Sequence, residues 1–322
     1  MVNAKVRGDM SGLVVISPET KSQRIADIDL DSITNLYKKH GAILFSGFPF
    51  ELNAFRDLTR RFCTHAVENR SGGRELIDPE NSIQTVDPGD EPFPLHPELS
   101  REPWKPDVCF FACEKAPISG GQTIFCDGVE LVRELPRRVR SALFKRKLRY
   151  DVPATREETR FWLKIEQPAA DDLLNPPEDC PFEFREIRGV IHRSYVAPVF
   201  HRPMFHKGLA FGNFLLFSRY LHNDRSFPCF EDGTPVPDEL VDPIQKTGEK
   251  LAVRRAWRLG DVLMLDNTRF LHARTAINEL SARRIVTYFG YLNFASTEQD
   301  PLPNARWRNP GWLDESDAKI LS

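Results

Sequence analysis

Four short runs in the last third of the chain, Arg254 to Arg258, Val262 to Asp266, Arg269 to Ala273 and Arg284 to Phe294, carry the aromatic and β-branched residues of strands. Gly260-Asp261 supplies a turn between the first two. Asp107 to Cys113 is an almost unbroken apolar run, as in a strand covered on both faces. Ahead of these, Leu30, Ile33, Leu36 and Tyr37 recur at helical spacing between Asp29 and His40, with Gly41 placed to end the helix. Ala42 to Phe48 reads as a strand, and Leu52, Phe55, Leu58 and Phe62 form one stripe of a second helix. The pattern predicts an α+β protein with a mainly β core. The chain has no internal repeat and no low-complexity linker, so residues 1–322 are expected to form a single domain. The charged, proline-punctuated stretch 153–189 is expected to be an insertion serving as a lid or substrate wall.

The intervening elements are less regular. Asp127 is placed to cap a helix over Gly128 to Leu135, and Pro136 to open a basic helix reaching Arg146. Ser194 to Phe200 and Leu209 to Ser218 read as extended, and Pro237 to Lys250 as a helix despite Pro243. Asn69 to Pro94 is rich in Gly, Pro, Asp and Glu and is expected to be a loop interrupted by the strand Ile83 to Val86.

That loop delivers His96 and Glu98. In extended chain, residues two apart point to one face, so an imidazole and a carboxylate converge. Two histidines and one carboxylate on one face of an ion, with the other positions open, form the facial triad of non-heme Fe(II) oxygenases. On its own the pair decides nothing, because His222-x-Asp224 repeats it. The residues downstream distinguish the two. After His96 come Gly120-Gly121-Gln122-Thr123, then Asp266-Asn267-Thr268-Arg269-Phe270-Leu271-His272, then the pair Arg283-Arg284; His222 has no comparable sequel.

In these residues the chain resembles the taurine dioxygenase-like (TauD/TfdA) group of Fe(II)- and 2-oxoglutarate-dependent oxygenases, from about Asp29 to Asn293. The resemblance implies a double-stranded β-helix, a jelly roll of two sheets with flanking helices. It implies iron ligation by His96, Glu98 and His272, and 2-oxoglutarate as cosubstrate with its C5 carboxylate on Thr123 and Arg284, with O2 as oxidant. Arg284 opens the run Ile285 to Phe289 and is expected to point inward, where a guanidinium meets a carboxylate with two parallel hydrogen bonds; Arg283 is expected to point outward. Two positions depart from the group. Glu98 stands where Asp is usual, and taurine dioxygenase carries a sulfonate-binding Arg four residues after the cosubstrate Arg, where Tyr288 stands here.

A net charge of −2 and a pI near 6.5 give no footprint for nucleic acid or an anionic membrane, which leaves a small-molecule substrate, free or held on a carrier protein. Arg70, Arg274 and Tyr288 are the candidate substrate contacts. Six cysteines without a Cys-x2-Cys, and no apolar run of leader or membrane-span length, point to reduced thiols in the cytoplasm. Oligomeric state is left open. The expected activity is hydroxylation or desaturation of an unactivated C–H bond in an amino acid or natural-product intermediate. A Zn-dependent hydrolase and a non-catalytic metal-binding jelly roll are the alternatives.

Overall fold

Asp29 and Gly41 bound the first helix as the spacing predicts. The Asp29 carboxylate accepts from the Ser32 amide at 2.9 Å, and Gly41 turns the chain out of Leu30–His40 at φ 75° while its N–H closes on the Tyr37 carbonyl. The computed structural model describes residues 4–8, 12–71, 73–278, 283–298, 300, 302 and 304–313.

Two sheets face each other. The larger, of nine strands, runs Lys5–Gly8, Val14–Ser17, Ala42–Phe45, Val262–Asp266, Val108–Lys115, Arg284–Leu292, Ile83–Thr85 and Leu76–Asp78, with Cys63–Ala66 also paired to Arg284–Leu292. The smaller has four antiparallel strands in the order Val253–Arg255, Thr123–Asp127, Phe270–Arg274 and Phe93–His96. This is the mainly β double-stranded β-helix with flanking helices.

Both faces of the large sheet are buried, which is why its central strands read as continuous apolar runs. Phe110, Met264, Val286 and Tyr288 face the helices Leu30–His40 and Leu52–Phe62, meeting Ile33, Tyr37, Phe55 and Phe62. Their neighbours Phe111, Leu263, Ile285 and Phe289 face the small sheet and meet Phe125 and Phe270. The outer side of the small sheet, with Leu95, Cys126 and Leu271, is covered by Gly128–Glu134 and by Asp238–Leu251, which runs through Pro243.

Two expectations fail. Leu209 to Ser218 is not one extended run: Ala210–Phe211 is a two-residue strand, and the chain then turns into the helix Leu215–Tyr220. Aromatic and aliphatic residues there satisfy either element, and burial of Leu215, Leu216 and Ser218 against the Asp238–Leu251 side decides it. The stretch 153–189 does not wall the triad. It forms the helices Arg156–Leu163 and Ala170–Leu174 and the strand Glu183–Ile187, which joins Val190–Pro198, Lys147–Pro153 and Cys229–Phe230 in a third sheet. Trp162, Leu173 and Phe182 there pack with Trp104, Tyr291 and Trp307 in a separate apolar cluster. No residue of 153–189 lines the cavity at His96.

Candidate active site

His96 ends the strand Phe93–His96 and lies directly opposite His272 in the ladder with Phe270–Arg274; the ring centroids are 4.6 Å apart. The side chains of Phe270, His272 and Arg274 alternate toward the large sheet, so the apolar run that makes this a strand also turns His272 inward. Glu98 comes after Pro97, just past the strand's end, and returns to the same point. One ligand atom from each of His96, Glu98 and His272 lies within 4.8 Å of the others, and among the described residues this is the one such cluster of three.

His96 and Glu98 are each held in the form a metal needs. The Nδ1 of His96 lies 2.9 Å from the Pro94 carbonyl, which can only accept, so Nδ1 carries the proton and Nε2 keeps its lone pair. Burial, with His272 alongside, pushes the His96 imidazole down to about 3, which keeps it neutral. Burial works against ionisation of Glu98, but the Arg74 guanidinium and then His272 outweigh it and hold the carboxyl at about 2. A neutral imidazole and a carboxylate are the protonation states that ligate a divalent ion.

The main chain at Glu98 is clamped by Asn267. Its side-chain oxygen accepts from the Glu98 amide at 2.8 Å, and its Nδ2 donates to the Glu98 and Pro106 carbonyls at 3.0 and 2.9 Å. Leu99 then takes φ 49°, a left-handed conformation that a branched residue holds only when its surroundings enforce it.

The triad opens on a cavity of about 370 Å³ whose apolar wall includes Phe93, Phe111, Phe214, Phe217 and Leu221. Thr123, Arg274 and Arg283 line it; Arg284 does not. The structure therefore corrects the register by one residue. Arg284 points outward, 46% exposed, and pairs with Glu114 at 2.9 Å. The alternation that turns Ile285 and Phe289 inward also turns Arg283 inward, and a bulge separates Arg284 from Ile285 in the pairing with Val108–Lys115. Gly121 makes room for this side chain: a Cβ there would lie 3.1 Å from Arg283 Cδ. Burial, with Arg274 adding to it, lowers the Arg283 guanidinium to about 10, and its Nε is buried without a partner among the described residues. Thr123 is buried beside this corner, and its hydroxyl oxygen accepts from the Trp257 indole at 3.0 Å.

The substrate candidates fare differently. Arg274 lies in the cavity with its two terminal nitrogens donating to the Asp87 and Glu91 carbonyls at 2.9 and 2.8 Å, and its Nε buried without a partner among the described residues. Arg70 pairs with Glu68 at 3.1 Å and lines a neighbouring cavity of about 600 Å³. Tyr288 is corrected with Arg284: it faces the helices, against Phe110 and Cys63, on the far side of the large sheet from the triad. His222 reaches the cavity wall against Phe217, but Asp224 turns away to accept from Ser226 and Phe227. Asn69 and Arg74 also reach Glu98. Both come from the loop after Ala66, where no periodicity singles out a residue.

The donor set and the fold define a jelly-roll oxygenase of the facial-triad type, and the Arg283 Nε, without a partner among the described residues and lining the same cavity as Thr123, fits the far carboxylate of a 2-oxo diacid. The profile of the taurine catabolism dioxygenase TauD, TfdA family matches residues 16–288, and the chain belongs to that family. It is an Fe(II)- and 2-oxoglutarate-dependent dioxygenase. A clavaminate synthase-like protein of Arabidopsis thaliana is 25% identical over 306 residues, spanning 81% of this chain and 88% of that one. Among solved structures, PvcB of Pseudomonas aeruginosa superposes with a TM-score of 0.60 at 14% identity, over 91% of this chain and 93% of that one. A taurine dioxygenase of Burkholderia xenovorans does so with 0.56 at 12%, over 90% and 89%. Among the described residues no helix is long and apolar enough to cross a membrane.

Proposed function

We propose that this enzyme hydroxylates or desaturates an unactivated C–H bond of a small molecule, an amino acid or a biosynthetic intermediate, with His96, Glu98 and His272 as the iron ligands and Thr123 and Arg283 holding the cosubstrate's C5 carboxylate. The observation that carries this is the placement, in one cavity of about 370 Å³, of the triad and of an arginine whose buried Nε has no partner among the described residues. Iron and 2-oxoglutarate, when bound, supply the oxidising chemistry. The protein's residues orient and exclude: the phenylalanine wall removes water and presses an apolar carbon toward the triad, and Arg274 offers its Nε to a polar group of the substrate. The biosynthetic assignment is supported by two relatives, the clavaminate synthase-like protein and PvcB, an oxygenase from an isonitrile synthetic pathway. Six buried free cysteines support a reducing, cytoplasmic setting. Neither nucleic acid nor membrane is assigned as a partner, and the substrate is either free or carrier-bound. The test is an anaerobic Fe(II) and 2-oxoglutarate titration, then a substrate panel read as O2-dependent succinate. Absence of 2-oxoglutarate binding to the Fe(II) protein overturns the assignment.

Taurine is expected to be refused. With Arg283 as the cosubstrate arginine, the position four residues on is Thr287, fully buried and donating to the Phe110 carbonyl at 2.8 Å. Thr287 supplies no cation where taurine dioxygenase has its sulfonate-binding arginine, and a buried anion left unpaired costs several kcal/mol. Sulfite release should run at least about 100-fold below turnover of the best substrate. A comparable rate would show that another arginine takes the sulfonate.

A further inference from the structure

Glu98 is one methylene longer than the Asp usual at this position in the family that the chain resembles, and a longer carboxylate can swing to offer both oxygens to an ion. The three protein ligands leave three positions of an octahedral ion open. An ion held here would need those positions for the cosubstrate and the oxidant, so a second oxygen from Glu98 would take one that the reaction requires.

The two oxygens of Glu98 have different partners. Oε2 lies 3.6 Å from His272 Nε2, on the side where the ligand atoms converge. Oε1 accepts from the Asn69 side-chain amide and lies 3.7 Å from Arg74 Nη2. Neither partner is free to follow a swinging carboxylate. The Asn69 side-chain oxygen accepts from the Ser71 amide at 2.9 Å, and its main chain exchanges bonds with the buried Gln84 amide at 3.3 and 3.0 Å. Arg74, 8% exposed, is tied to Asp87 at 3.0 Å and lies over the Phe289 ring. The backbone of Glu98 is fixed independently by Asn267 and by the left-handed Leu99. The glutamate is therefore held at both ends.

We infer that Asn69 and Arg74 are positioning residues that engage the outer oxygen of Glu98 and so make this longer side chain a one-oxygen ligand. The inference rests on the triad being the metal site. It deepens that reading by assigning two residues, from a loop that carries none of the motif, the task of keeping the third coordination position open.

The experiment counts water on the ion in the protein without 2-oxoglutarate. Mn(II) is added to the full chain, and its EPR linewidth is compared in ordinary and ¹⁷O-enriched water. Wild type is expected to hold about three waters. Asn69→Ala frees Oε1 and is expected to hold one fewer, with Mn(II) affinity changed by about 10- to 100-fold, the usual effect of removing an outer partner of a ligand. Arg74→Met should act in the same direction and serves as the second variant if Asn69→Ala does not fold. In the Asn69→Ala background, Glu98→Asp shortens the carboxylate and should restore the missing water. A residue that only stabilised the loop would change the melting temperature without changing the water count. Three waters in wild type, Asn69→Ala and Arg74→Met alike overturn the inference and leave the triad standing. A wild-type protein that binds no Mn(II) overturns both.

Discussion

His96→Ala and His272→Ala are each expected to abolish O2-dependent succinate formation while leaving the protein folded. Each removes one of three donors from a site with no spare side chain: among the described residues His96, Glu98 and His272 form the single cluster of metal-ligand type. The loss should exceed the roughly 10- to 100-fold that removal of an outer-shell partner costs. It should appear first as lost Fe(II) binding in an anaerobic titration, with the circular dichroism of the β core unchanged. Near wild-type turnover in either variant would mean that the iron sits elsewhere. His222 provides the control, because its Asp224 partner is turned into a surface turn. His222→Ala is expected to keep full Fe(II) affinity.

The second large effect separates two adjacent arginines. Arg283→Leu deletes a part-buried guanidinium whose buried Nε has no partner among the described residues and whose anion is assigned as the cosubstrate carboxylate. Truncating one side of a buried charge pair costs about 2 to 5 kcal/mol, so the apparent 2-oxoglutarate affinity should fall by at least about 30-fold. Arg284→Leu removes a pair in which Arg284 is 46% and Glu114 38% exposed. Exposed pairs contribute about 1 kcal/mol or less, and that variant should bind 2-oxoglutarate within about fivefold of wild type. Equal losses, or the reverse order, would return the cosubstrate to Arg284.

Most of the fold and the triad were legible because their signals are local. Helix ends at Asp29 and Gly41, apolar runs at Val108–Lys115 and Val262–Asp266, and the two-residue step from His96 to Glu98 each carry their own periodicity or cap. What was not legible depended on which of two buried faces is which. Ile285, Val286, Tyr288 and Phe289 are apolar or aromatic on both sides, because one side meets helices and the other meets the small sheet. Alternation then fixes a pattern but not its phase, and Arg284 and Tyr288 were turned inward where Arg283 and Thr287 belong. The bulge at Arg284 leaves no mark in the residue types. Asn69 and Arg74 were illegible for another reason. They reach Glu98 from a turn-rich loop, and only the folded chain brings that loop to the site.

The contact between Trp257 and Thr123 fixes a polarity. An indole N–H can only donate, so the Thr123 oxygen must accept from it, and the threonine's own hydrogen is left to point elsewhere. Arg283, beside it, has nothing but hydrogens to offer. A ligand end entering this corner meets the threonine hydrogen and the guanidinium as donors, and of these two side chains only the second lone pair of Thr123 can accept. Two carboxylate oxygens satisfy those donors and bring the charge that a guanidinium pairs with, whereas a primary amide brings one oxygen and no charge. The corner therefore favours an acid over its amide, so 2-oxoglutaramate, nearly the same size as 2-oxoglutarate, should bind more weakly with no change of shape.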